Sequence, residues 1–489
     1  LTSGGTLANF EALWIARQVH YLPLAVAAAA RELGVTVEAK LPDGGRRAVT
    51  DLELWQLLNL DPAAALDLRD ALLAAAPGPV APRVLDAHGL AACGYQDYSL
   101  ELARRYGDPL PAAVVLVAAT AHYSWEKLVR ALGIGGQQLR VVPVDTHCRM
   151  DPDALWEELR RLSAARTPVV AVVSVCGTTE ESACDRLDLI AEVRAQARAE
   201  LGTTFHLHSD ACYGGYAAAV TWRADGTRRT AADIRGATGT EWPSEMWVRS
   251  MEALATTDSI SIDPHKLGYV PYPAGAFLLR DRRGRDLVAV DPPYLEPGGA
   301  DPAGEQFLGR YSIEGSRPGA AAAATWMSHK VLPLDERGYG HLIERSVVGA
   351  RRLHAALAAA DLGGCRIALL PAPDLNIVNF ALRHPRHRTL AEVNAFNEGL
   401  YRALSPRPDG RAPEYYVTRT RLAAPKYDGA IAPLLEALGL AGVDEWRAAG
   451  PEGLVVLRMT VMDPFLAEPA GATDHVAGFL DHLRALATA

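Results

Sequence analysis

The sequence predicts an α/β fold, a mostly parallel central sheet covered on both faces, followed by a smaller α+β unit. Three observations predict it. From about residue 110 to 280, short apolar runs alternate with amphipathic helical segments, the pattern of repeated βαβ units. An Ala-rich, mostly helical stretch over 15–110 precedes them, and from about residue 345 the pattern changes to helices with a few scattered strands. These shifts predict a large domain over 1–345 and a small C-terminal domain over 346–489.

Taken in order, "TSGGTLANFEALW" is a Gly-rich turn opening a helix with Phe10, Leu13 and Trp14 on one face. The 15–110 stretch is interrupted by "LPDGGRR" and "APGPVAPR" and reads as an elaboration around the sheet. "AAVVLVAAT" is a buried strand, and "SWEKLVRAL" a helix that Ser124 is placed to cap. "PVVAVVSV" then leads into the helix "RLDLIAEVRAQARAEL", followed by the strands "TTFHLHSDA" and "SISIDPHK". Residues 220–252 are polar and Gly-punctuated, which predicts a surface insertion. Residues 291–305, "DPPYLEPGGADPAGE", hold too much Pro and Gly for regular structure and suit a functional loop. The helix "GAAAAATWMSHKVL" closes the large domain, and "RIALL", "NIVNFAL" and "LVVLRMTVM" are the strands expected in the small one.

Composition narrows the partners. A formal net charge of −9 over 489 residues provides no basic field for nucleic acid or an anionic membrane, so a small molecule is the expected ligand. The six cysteines lack CxxC pairs or regular spacing, which predicts reduced thiols and a cytoplasmic protein. Apolar runs such as "LPAAVVLVAATA" fall short of the roughly 18 residues of a membrane span. Because the chain opens at "LTSGG" without Met, a preceding segment is expected.

Five features fall at predicted strand ends or the turns after them. The Gly-rich turn leaves free N–H groups at a helix start, an anion site to which the Ser3 and Thr6 hydroxyls can add; a plain helix cap is the simpler reading. Strand alternation puts His206, His208, Asp210 and Cys212 on one face. No HExxH or CxxC completes a metal site there, so no metal is expected, and Asp210 reads as the partner of a cationic ring nitrogen or as a turn cap. His122 stands at a strand–helix junction, as an aromatic for a ring face or a satisfied core residue. Thr178 and Thr179 follow a buried strand, where turn chemistry is the ordinary explanation. Lys266 ends "SIDPHK": a buried ammonium is pushed toward the neutral amine, the form a carbonyl compound captures. An anion cradle, a carboxylate, an aromatic face and a lysine together supply what pyridoxal 5′-phosphate needs.

These residues also carry a resemblance. "TSGGT…N", "HYSWEK", "GTTE…D", "H.DA.YGG" and "DPHK" occur in the order and spacing of the group II PLP-dependent amino acid decarboxylases, across nearly the whole chain. "DPHKLGYVPYPAG", "YSIEGSRPGAAAAATW", "VLPLDERGYG" and "VLRMTVMDPF" are most similar to bacterial tyrosine decarboxylases. The resemblance implies the fold-type I, aspartate aminotransferase-like architecture, a homodimer with shared active sites, and a domain-sized segment before the SGGT motif. By the same resemblance Lys266 would bond the cofactor's aldehyde, Asp210 would keep its pyridine nitrogen protonated, and His122 would stack on its ring. Ser3, Gly4 and His265 would contact the phosphate, with Thr178 near the ring and Cys212 on its other face, where the family commonly has Ala. Tyr294, in the "DPPYLEP" loop, would be the catalytic proton donor, and Tyr272 and Thr460 would meet substrate. The implied reaction converts tyrosine to tyramine and carbon dioxide. Dihydroxyphenylalanine, phenylalanine, tryptophan, glutamate and aspartate are alternative substrates; a carbon–carbon lyase of the same fold and a catalytically silent scaffold are alternative functions.

Overall fold

The computed structural model describes residues 1–107, 111–290, 308–406, 410–440, 442–468 and 473–489. Its first helix, Gly5–Leu33, is lined with small and aliphatic side chains and buried on nearly every face. It packs beneath a six-stranded sheet and ends at Gly34, whose left-handed conformation (φ 65°) lets its N–H return to the carbonyls of Ala30 and Arg31. A short hairpin of β1 (Glu38–Lys40) and β2 (Arg46–Ala48) follows.

The large sheet holds β3 (Val114–Ala118), β4 (Leu139–Val142), β5 (Val169–Val175), β6 (His206–Asp210), β7 (Ser259–Ile262) and β8 (Ala276–Leu279), in the order β4-β3-β5-β6-β7-β8. All pairings are parallel except β7–β8, which is antiparallel. Strands β3, β5 and β6 are buried at every residue, as expected for a parallel sheet covered on both sides. Because the parallel strands share a direction, their carboxyl ends and the turns after them gather along one rim, where ligands of open α/β sheets bind. The fold class matches the sequence reading.

Residues 220–252 correct the expected surface insertion. They form the helices Ala231–Thr238 and Glu245–Ala253, whose Ile234, Trp247, Val248 and Met251 lie in the sheet's core cluster. The polar residues and glycines between them hide an apolar spacing of three to four residues. Ser124 is a second correction: it is the first residue of helix Ser124–Ala131, without a side-chain cap, and its hydroxyl pairs with His122.

The second sheet comprises β9 (Arg366–Leu369), β10 (Ile377–Arg383), β11 (Thr418–Leu422) and β12 (Leu454–Thr460), all antiparallel in the order β11-β12-β10-β9. Helix Tyr339–Ala359 runs through residue 345, where the sequence changes character, and touches both units. Tyr339 donates to the Gly268 carbonyl at 2.7 Å, and Ser346 to the Val461 carbonyl at 2.5 Å. The helix Ala320–Val331 has no buried residue: Trp326, Met327 and Val331 are all exposed.

Candidate active site

At the shared rim of the parallel strands, Asp210 is the last residue of β6, with Cys212 just beyond, and β7 ends in the turn Asp263–Pro264–His265–Lys266. Gly177 and Thr179 come from the end of β5, and His122 from the segment between β3 and its helix. With the tip of the first helix they enclose a cleft of about 560 Å³. Sequence reading placed Ser3, Gly4, His122, Asp210, Cys212, His265, Lys266 and Tyr272 at the site, and all of them line this cleft.

Lys266 corrects one expectation. Its Nζ lies 3.0 Å from Oδ2 of Asp263. Burial pulls the ammonium down, but its neighbours Cys212, Asp263 and Asp210 outweigh it and hold the lysine above its ordinary value. The side chain therefore rests as a paired cation and not as the neutral amine.

Asp210 is 5% exposed and densely held. Its Oδ2 accepts from Asn9 Nδ2 at 2.8 Å and Trp125 Nε1 at 3.1 Å; Oδ1 has only long contacts, with Cys212 N at 3.4 Å and Ser261 Oγ at 3.5 Å. Burial raises the carboxyl's pKa, yet these donors and the Lys266 charge bring it below the usual carboxylate range. Asn9 is itself fixed, its Oδ1 accepting from Ser261 Oγ at 2.6 Å with His208 Nε2 at 3.1 Å. His208 and His206 share the Ser259 hydroxyl, at 2.8 and 2.7 Å, and burial lowers them to about 3 and 4. Both rings are neutral near pH 7, so the positive charge beside Asp210 comes from Lys266. Among the described residues no group of three metal-ligating side chains forms, and these two histidines are committed to the network behind Asp210.

His206 makes a test of that burial. Its folded pKa lies below the unfolded value near 6.5, so its contribution is intact above pH 6.5 and is lost as pH falls toward 4. His206→Gln has no proton to take up. Its stability relative to the parent, measured by urea unfolding, is expected to improve by about 2 kcal/mol between pH 7 and pH 5; a constant difference would show that the ring is not held neutral.

Other expected residues are placed as follows. His122 keeps its Nδ1 on Ser124 Oγ at 2.8 Å, and burial lowers its pKa, which leaves a neutral ring at the cleft. Tyr272 stacks on His265, with centroids 3.7 Å apart. Thr178 is a correction: its hydroxyl accepts from Ala183 N–H at 3.0 Å inside its own turn, and Thr179 lines the cleft instead. Thr460 is a second: it ends β12 opposite Ile377 and is not among the cleft residues. Tyr294 and the whole 291–305 loop lie outside the described residues. Sequence reading missed Asp263, Asn9 and Trp125. The first had a signal, an acid three residues before the lysine in a tight turn; the other two are recognisable only once Asp210 faces them.

The site fits pyridoxal 5′-phosphate on its own geometry. Gly4, ahead of the first helix, offers no capping side chain, which suits a phosphate at the helix tip. A Cβ on Gly5 would stand 2.4 Å from Cys212 Sγ and 2.7 Å from Asp263 Oδ2, so only glycine permits the close approach of this tip to the lysine turn. Asp210 Oδ1 retains acceptor capacity for a ring N–H, and Lys266 stands in the same cleft for the aldehyde.

Comparison with known proteins points to the same cofactor. The family described as pyridoxal-dependent decarboxylase conserved domain matches residues 103–226, and tyrosine decarboxylase, C-terminal, matches 350–484. The chain is 34% identical to the L-tyrosine decarboxylase of Levilactobacillus brevis, over 95% of this chain and 70% of that protein. It is 32% identical to that of Enterococcus faecalis, over 95% and 71%. Among solved structures, Oryza sativa TDC with PLP and tryptamine superposes with a TM-score of 0.56 at 19% identity, over 80% of this chain and 66% of that one. Mouse CSAD in its apo form gives 0.56 at 17% identity, over 97% and 76%.

Proposed function

The chain belongs to the pyridoxal-dependent decarboxylase family, and on that premise we propose that it converts L-tyrosine to tyramine and carbon dioxide. The observation that carries the reading is the convergence of Lys266 and Asp210 on one cleft at the uncapped tip of the first helix. An aromatic substrate suits the tyrosines of that cleft, Tyr123, Tyr213 and Tyr272, which offer ring faces and edges for packing. The relatives' activity on L-tyrosine points the same way.

When bound, pyridoxal 5′-phosphate supplies the electron sink that accepts the pair released as carbon dioxide leaves. Lys266 would hold its aldehyde, Asp210 its ring nitrogen through Oδ1, and Ser3, Gly4 and the helix tip its phosphate. The Asp210 carboxylate, held ionised by Asn9 and Trp125, would keep a proton on that ring nitrogen. His122 and Cys212 would hold the plane from its two sides, which decides the bond that breaks. Burial pushes the Cys212 thiol well up, so it packs as a neutral group.

Tyr294 would return the proton to Cα. Tyr294→Phe is expected to lower tyramine formation about 100-fold and to divert turnover toward carbonyl by-products formed with dioxygen. Product analysis by mass spectrometry reads both, and an unchanged tyramine yield would remove Tyr294 from the mechanism. A homodimer with shared sites accounts for the bare apolar face of helix Ala320–Val331, which a second copy would cover. A cytoplasmic location suits the six unpaired cysteines; among the described residues no helix is long and apolar enough to cross a membrane.

Incubating the protein, loaded with pyridoxal 5′-phosphate, with each of the twenty amino acids tests the reading. Tyramine and carbon dioxide from tyrosine are expected in excess of any other amine. Preferential release from another amino acid would reassign the substrate, and release from none would overturn the decarboxylase reading for this chain.

A further inference from the structure

Asp263 has no role in the account so far, and its surroundings are unusual. It is 1% exposed, and its Oδ1 is buried without a hydrogen-bond partner. Its Oδ2 holds Lys266 Nζ at 3.0 Å, while His265 Nε2 stands farther off at 3.4 Å. The backbone fixes the pair: the Asp263 N–H donates to the Cys212 carbonyl at 3.2 Å, and the Lys266 N–H to the Asp263 carbonyl at 3.0 Å. An ionised carboxylate this deep, with one oxygen unsatisfied, is costly unless a cation stays beside it. Asp210 does not compete for the lysine in the same way, because its Oδ2 is taken by Asn9 and Trp125.

We propose that Asp263 is the docking partner of the displaced Lys266, the carboxylate that receives the lysine as an ammonium once a substrate amine has taken its place on the cofactor. The inference rests on the decarboxylase reading. In the exchange, the substrate's nitrogen bonds to the aldehyde carbon as the bond from Nζ to that carbon breaks. The three protons of the substrate's ammonium end on Nζ, so charge and protons balance. The ammonium then lies on Asp263, as it does in this structure, clear of the reacting carbon. Holding it there favours the substrate-bound form and keeps the lysine from attacking again.

Among the described residues, four other titratable groups face Lys266. Asp210 and Cys212 come from β6 and the turn after it, His122 from the segment before helix Ser124–Ala131, and His265 from the lysine's own turn. The first helix presents Gly5 at this point. Burial raises the Asp263 carboxyl, and Lys266 opposes that rise.

The test begins without cofactor. Trace acetic anhydride is applied to the cofactor-free protein between pH 7 and 10, and acetylation of Lys266 is read by peptide mass spectrometry against the exposed Lys40. In Asp263→Asn, Lys266 is expected to react at least about tenfold faster at pH 8 than in the parent, as its protonated form loses a counter-ion. Equal rates would overturn the proposal. If the variant does not fold, the parent decides: Lys266 should titrate above the ordinary lysine value of about 10.4, and titration below it overturns the proposal. In the loaded enzyme, Asp263→Asn should raise KM for the amino acid about tenfold and lower kcat by less; an unchanged KM counts against the docking role. Whether the protein turns yellow with pyridoxal 5′-phosphate is independent of the acetylation result and tests the family reading separately.

Discussion

Lys266→Ala is expected to release tyramine at less than about one ten-thousandth of the parent rate, even with excess pyridoxal 5′-phosphate. Two losses add. The variant has no amine to hold the aldehyde in the cleft, and the substrate must then react with free cofactor, without the positioning that a tethered partner gives. Its neighbour suffers as well: Asp263 keeps its burial and loses the cation 3.0 Å away, so unfolding is expected at lower temperature unless the carboxyl protonates. Chromatographic assay of tyramine measures the first effect, and borohydride reduction followed by peptide mapping locates the covalent link. A variant that still turned over within tenfold of the parent would mean that another side chain holds the cofactor.

Asp210→Asn is expected to cost about 10³ in kcat while leaving the fold intact. The substitution keeps the shape, but the amide must satisfy Asn9 Nδ2 and Trp125 Nε1, both donors, with its single oxygen. Its NH₂ is then turned to where Oδ1 stood, which places a donor against a ring nitrogen that needs an acceptor. The nitrogen loses its proton, and with it the capacity to draw electrons from the substrate. The absorption spectrum of the loaded protein and single-turnover decarboxylation both read this loss. Near-parental activity in the variant would take Asp210 out of its role.

Much of this site is written in short local patterns. The apolar runs of β3 and β5 announce a sheet buried on both faces, and Lys266 and Asp210 stand out because each is a charged residue at or just past the end of a strand beside them. Thr178 and Thr179 show where local pattern stops: both follow β5, and only the hydrogen bond from Ala183 decides which one faces the cleft. The strand β11, "TRTRL", has no apolar alternation to reveal it, since its exposed Arg and Thr lie along a sheet edge. The helices within 220–252 were obscured because glycines and charges outnumber the few apolar residues that pack. Asn9 and Trp125 could not be read, because their function exists only through contacts with Asp210, 201 and 85 residues away.

Thr2 and Gly275 exchange a pair of backbone hydrogen bonds, each 2.8 Å long. They join the strip of chain leading into Gly4 to the strip that follows the lysine turn, so the proposed seat for the phosphate and the proposed anchor for the aldehyde would share one main-chain frame. On that proposal, the span between the ligand's two ends would be gauged by main chain and not by long side chains. A cofactor of another length would then meet a mismatch between those two ends.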